Sequence, residues 1–311
     1  MILLIIKRAV FVASVLTLIL LAYFIRVSPI AFQKAATLVP VSAQMLESIG
    51  LDSQDSSQSV PDVHKLIEPI PYREAKAIFE VLPSDRYRLA IEQGYGNCSN
   101  LTMGMAVYLL GHHYNFRVVH FLPYGDFLTG NGHTLLDMPY TLDGITQRGL
   151  VDMMEGGIPV SKNAHIDFAT LQQKHLAEPS ILPLNKLKDD SSPYYGSFLD
   201  NAAVGIAPRF EISRYFSFLE TIYVPLGNKR LERIIYSGIG VVLNFFPHTY
   251  VSQEEYTRLF VDKQGLLWMA KTLLWLLRIL PLLIVLQLIS TLVQIKRRRT
   301  ERCNTPIVDA V

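Results

Sequence analysis

Three residues of this chain have the types and order needed for acyl-transfer chemistry. They are Cys98, His133 and Asp152, separated by 35 positions (98 to 133) and 19 positions (133 to 152). A thiol attacks a carbonyl only as thiolate, and a free thiol with a pKa near 8.5 is mostly protonated at neutral pH. The partial positive charge of a helix N-terminus and a neighbouring imidazolium both favour the thiolate. Cys98 lies in Gly94-Tyr95-Gly96-Asn97-Cys98-Ser99-Asn100, a glycine-rich turn that opens the most helix-like stretch of the chain. Such a turn is expected to bring backbone N–H groups near a substrate carbonyl, with Gln93, Tyr95 and Asn97 as oxyanion or positioning candidates. His133 would serve as general base and then acid, and Asp152 would hold its other ring nitrogen and fix the tautomer. This chemistry requires no metal and no organic cofactor.

These side chains need elements to carry them. Leu101, Met105, Tyr108 and Leu109 recur at helical spacing and predict a helix from Cys98 or Ser99 to Leu110, stopped by Gly111. Phe116–Leu122, His133–Met138 and Leu150–Met154 read as strands, and Asp143-Gly144 is a hairpin turn signal. A two-residue turn there pairs Leu142 with Ile145, and hence Leu135 with Asp152. His133 and Asp152 then share a face of neighbouring strands, displaced by two positions and within side-chain reach. Upstream, Tyr72–Val81 carries helical spacing, and a second helix is expected near Arg86–Gln93 after the break at Pro83-Ser84-Asp85. The expected fold class is α+β, a helix with the thiol packed on an antiparallel sheet with the imidazole and carboxylate. Beyond Gly157 the signals weaken to short helical stretches, such as Asp167–Ala177, and polar loops, such as Lys188–Tyr195.

Gly96-Asn97-Cys98 leading into a helix, Gly132-His133-Thr134-Leu135-Leu136-Asp137 on a strand and Gly149-Leu150-Val151-Asp152 on the next together resemble the transglutaminase-like superfamily. The resemblance covers about residues 72–160. It implies a papain-like core with a Cys-His-Asp triad at Cys98, His133 and Asp152. It also implies activity as a cysteine peptidase, amidase or acyltransferase, although the group includes inactive members.

Two apolar stretches frame this region. Ala9–Ile25 is uninterrupted, with Lys7-Arg8 before it and Arg26 after it. Its end lacks a small-x-small cleavage pattern, so it reads as an uncleaved anchor. Leu266–Ile295 is interrupted by Lys271 and Arg278, and the expectation is an interfacial segment followed by a span from Ile279. Lys296-Arg297-Arg298-Arg299 closes it. Basic flanks favour the cytoplasmic side, which predicts both termini inside and residues 27 to about 265 outside, in an inner-membrane protein of two spans. The expected organisation is then an N-terminus 1–8, a span 9–25 and a linker 26–71. The core 72–160, an extension 161–265, the segment 266–295 and a basic tail 296–311 follow. A third apolar run, Ile234–Pro247, is too short to span and reads as a core element or a membrane-touching patch.

Half of the 311 residues are hydrophobic, 18% are charged and the net charge is +2, which offers no argument for a nucleic-acid partner. Two cysteines provide no disulfide framework. The expected partners are the lipid bilayer and a cell-envelope peptide or protein substrate. The competing expectation is an inactive domain kept as a binding or scaffold module of an envelope assembly that handles polysaccharide or secretion.

Overall fold

In the computed structural model, residues 2–50, 60–73, 76, 78–130, 132–162, 164–173, 176, 179–186 and 201–303 are described. They divide into two units, the terminal segments up to Pro29 and from Gly265, and a body covering Ile30–Gln264. In the terminal unit, helix α1 (Ile2–Val27) has 26 residues, about 39 Å at 1.5 Å per residue. The last helix, α11 (Gln264–Cys303), continues unbroken through Lys271, Arg278 and Pro281. The expected division at Arg278 is therefore not a break in the helix. Among the described residues, two helices are long and apolar enough to cross a membrane, over Arg8–Arg26 and Gln264–Lys296.

The body is α+β, built on a mixed six-stranded sheet. It begins with α2 (Pro29–Thr37), β1 (Leu38–Val41), α3 (Ala43–Ser48) and α4 (Val63–Ile67). Helix α5 (Pro83–Tyr87) runs on into a π-helical turn at Arg88–Glu92, and α6 (Cys98–Gly111) follows. Next come β2 (Arg117–Pro123), β3 (His133–Leu142) and β4 (Ile145–Val151). A smaller three-stranded sheet holds β5 (Gly157–Ser161), β6 (Ala164–His165) and β7 (Pro179–Pro183), with α7 (Phe168–Gln172) between the last two. The chain then returns to the main sheet as β8 (Ala202–Pro208), leaves it through α8 (Arg209–Ile222) and α9 (Lys229–Val242), and ends with β9 (Thr249–Ser252) and α10 (Gln253–Phe260).

The strand order of the main sheet is β1-β9-β8-β2-β3-β4, antiparallel except for the parallel pair β1 and β9. Both faces are covered, which explains why its strands read as nearly continuous apolar runs. Val118, Leu136, Val151 and Ala207 face a core shared with α4, α6, α8 and α9. Their sequence neighbours Val119, Leu135, Leu150 and Ile206 face the opposite core, with Leu46 of α3 and Phe168 and Leu171 of α7. That one-residue alternation is the period of a pleated strand.

The β3–β4 hairpin closes through Asp143 and Gly144, both at positive φ (49° and 80°), the signature of a type I′ turn. Leu142 pairs with Ile145 as expected, and the register holds to Leu136 opposite Val151. Strand β4 ends there, and Asp152 bridges Gly157 instead. Other expectations differ more. The described residues of 72–81 form no helix; Arg73 donates its N–H to the Gly94 carbonyl, and Tyr72 reaches across to Met153, so the segment lies as a strap. The stretch expected as a linker, 26–71, supplies β1 and three short helices, while its residues 51–59 lie outside those described. The stretch expected as an extension, 161–265, supplies β8 and β9, two strands of the main sheet. The expected polar loop Lys188–Tyr195 lies outside the described residues.

Candidate active site

Cys98 is the first residue of α6, and the side chain of Asn97 caps the helix by accepting the Asn100 N–H at 3.0 Å. The N–H groups of Cys98 and Ser99 belong to the first turn, where a helix offers no internal acceptor. Gly96, at φ 115°, admits the Asn100 side chain, since a Cβ there would stand 2.6 Å from the Asn100 Cβ. The helix is then fixed to the sheet. One turn after Cys98, the Thr102 hydroxyl donates to the Thr134 carbonyl at 2.9 Å, and this bond is buried. The thiol, half-buried, comes to rest 3.9 Å from the Gly132 carbonyl.

His133 opens β3 opposite Phe121 of β2, its ring nearly parallel to the phenyl at 6.3 Å. The residue before it must be glycine. Gly132 has φ 133°, and a Cβ there would lie 2.3 Å from the Phe121 carbonyl oxygen. His133 Nε2 meets Asp152 Oδ2 at 2.6 Å, and both side chains are sealed from solvent. The other carboxylate oxygen, Oδ1, accepts the N–H groups of Met154 at 2.9 Å and Glu155 at 3.0 Å, so the turn after β4 holds the carboxylate in orientation. Nearby, the Tyr72 hydroxyl donates to the Met153 carbonyl at 2.6 Å.

Charge in this group follows from geometry. Burial, the largest influence on His133, disfavours its imidazolium. The Asp152 charge and hydrogen bond, together with a hydrogen bond and charge from Cys98, outweigh it and raise the pKa from 6.5 to about 10. The ring therefore stands between the carboxylate and the sulfur and responds to both. Sulfur, imidazole and carboxylate come together in series.

Cys98 and His133 line a cavity of about 740 Å³. Of the three positioning candidates, Asn97 lines it, whereas Gln93 and Tyr95 do not. Gln93 closes the π-helical turn through its N–H to the Arg88 carbonyl, and the Tyr95 hydroxyl accepts from Arg73 at 3.0 Å. The candidate oxyanion donors on the cavity wall are instead the first-turn N–H groups of Cys98 and Ser99. Capping and fold together make them available, and Asn97 immediately before the thiol was the sequence signal for it.

Four further cationic or imidazole side chains line the cavity. Lys34 of α2 donates to the Phe127 carbonyl at 2.6 Å; burial lowers its pKa to about 8 against the raising influence of Asp126 and Cys98. His120 of β2 lines the cavity with its pKa lowered to about 4, by burial and then by Lys34. Arg86 of α5 and Arg233 of α9 complete the set. Lys34 and Arg233 come from elements remote in sequence from the thiol, so no local spacing could have flagged them.

No protein-family model, curated protein or solved structure matches this chain. The site's own chemistry therefore carries the functional argument.

Proposed function

We propose that this protein is a membrane-anchored thiol enzyme of transglutaminase-like type, with a papain-like core, that cleaves or transfers acyl groups at amide bonds outside the cytoplasm. The observation that carries the reading is the series Asp152–His133–Cys98 at the wall of a cavity, with the thiol on the first residue of a capped helix. Cys98 gives its proton to His133, and the sulfur attacks the amide carbonyl carbon. The oxygen takes up negative charge facing the first-turn N–H groups. The C–N bond then breaks as His133 returns the proton to the departing amine, leaving a thioester on Cys98. Water or a second amine, deprotonated by His133, adds to the thioester, and the sulfur leaves. Asp152 keeps the ring in orientation and stabilises the imidazolium throughout.

The two apolar helices and their basic flanks, Lys7-Arg8 and Lys296-Arg297-Arg298-Arg299, support a two-span inner-membrane topology with cytoplasmic termini. Cell-envelope peptides or proteins are the matching substrates. A membrane-impermeant maleimide applied to intact cells should then label Cys98, and Cys303 only after permeabilisation.

The decisive test is the rate of Cys98 alkylation by iodoacetamide across pH. Rapid alkylation well below pH 8, slowed at least tenfold in His133→Ala, supports the enzyme. Ordinary thiol behaviour, unchanged by that substitution, would leave a scaffold module as the better account.

A further inference from the structure

The cavity that holds the thiol is lined by three cationic side chains, Lys34, Arg86 and Arg233, and among its described residues by a single carboxylate, Asp126. The cations are not equally compensated. Lys34 has Asp126 close by and a carbonyl on its ammonium. Arg86 is 8% exposed, and its Nε donates to the Glu80 carbonyl at 2.9 Å. Arg233 donates through Nη1 to the Ile78 carbonyl. Both guanidiniums are thus clamped by backbone oxygens of one segment, near enough for Arg86 to disfavour the charge on Arg233. Glu80 and Tyr215 exert a weaker opposing influence on Arg233, but among the described residues no carboxylate lies within ion-pair distance of either arginine.

Two guanidiniums withdrawn from water are stable together when an anion joins them, because buried charge is costly unless paired. Their planar forks suit a carboxylate, which each can grip with two parallel N–H bonds. The arginines also share their cavity with the reactive sulfur. An anion held there would belong to the molecule under attack.

We propose that Arg86 and Arg233 form an anion subsite that binds a carboxylate of the acyl substrate while Cys98 attacks an amide carbonyl of the same molecule. The substrate class is therefore an acidic acyl compound, a peptide with a free carboxylate beside the scissile amide. This assignment rests on the thiol-enzyme reading above and adds to it the substrate's charge.

The experiment titrates N-acetylglutamate into the full-length Cys98→Ala protein in detergent, by calorimetry at fixed ionic strength. The corresponding diamide, with both carboxylates replaced by carboxamides, and inorganic phosphate are titrated in parallel. Saturable one-to-one binding of the acid is expected, with none for the amide, and at least a tenfold loss of affinity in Arg233→Gln and Arg86→Gln. Equal binding of acid and amide, or acid binding that survives both substitutions, would overturn the subsite. Tighter binding of phosphate than of the acid would overturn the carboxylate assignment. Thermal unfolding checks each variant; should either fail to fold, discrimination between acid and amide by the otherwise unchanged protein decides. Acid binding lost while Cys98 remains fast towards iodoacetamide refutes the subsite alone, whereas acid binding beside an ordinary thiol refutes the enzyme reading.

Discussion

At the scale of single residues, the site depends on how completely Asp152 is held. One oxygen faces His133, the other receives two backbone N–H groups, and no water reaches either side chain. Asp152→Ala should therefore cost about 3–5 kcal/mol, as does breaking a buried pair from one side, measured by denaturant unfolding. Asp152→Asn keeps the shape and removes the charge. Its effect should appear in pH dependence. In the folded protein His133 binds its proton with a pKa of about 10 against 6.5 when unperturbed, so the folded state holds the proton more tightly than the unfolded chain. That contribution to stability is fully present below pH 6.5, declines as pH rises and is lost beyond about pH 10. Melting temperatures compared between pH 6 and pH 10 should fall for the parent protein, and fall less for Asp152→Asn. His120 has the opposite sign. With its pKa lowered to about 4 it favours the folded state above pH 6.5, and that contribution disappears as pH drops towards 4.

At the scale of elements, α6 and the β3–β4 hairpin must stay in register with each other. The Thr102 hydroxyl on the Thr134 carbonyl is the bond that joins them. Thr102→Val should cost about 1–3 kcal/mol, because a buried carbonyl loses its donor, and should slow Cys98 alkylation by misplacing the thiol. Gly132→Ala should be more damaging, since it combines a left-handed φ with a collision against the Phe121 carbonyl; loss of a cooperative melting transition is the expected readout. Much of this machinery was legible in the sequence. Apolar spacing gave α6, Asp143-Gly144 gave the hairpin, and simple register arithmetic then placed His133 and Asp152 within reach. Local pattern failed where distant contacts decide. Ile78 and Val81 carry helical spacing, yet hydrogen bonds from Arg73 and Tyr72 to residues far along the chain hold their segment as a strap. Strand β8, Ala-Ala-Val-Gly-Ile-Ala-Pro, carries a weak strand signal because small residues dilute Val204 and Ile206, as its fully buried course through a crowded interior requires. A Cβ at Gly205 would stand 2.6 Å from the Thr249 side chain of β9.

At the scale of the whole molecule, the stretch that carries Cys98, His133 and Asp152 cannot be cut out as an independent domain. Its strand β2 is bonded on one side to β3 and on the other to β8, which arrives only after the smaller sheet has been completed. A fragment of residues 72–160 should show no cooperative unfolding by circular dichroism, whereas residues 30–264, which form one unit, should. The same connectivity has a bearing on biogenesis. During synthesis, β2 emerges with a bare edge of amide and carbonyl groups and keeps it until Ala202–Pro208 have been translated. Bare edges recruit foreign strands. If this polypeptide is threaded through a translocation channel, the nascent segment must be shielded on the far side, either by a holding chaperone or by export fast enough to deliver the closing strand before a stranger takes its place.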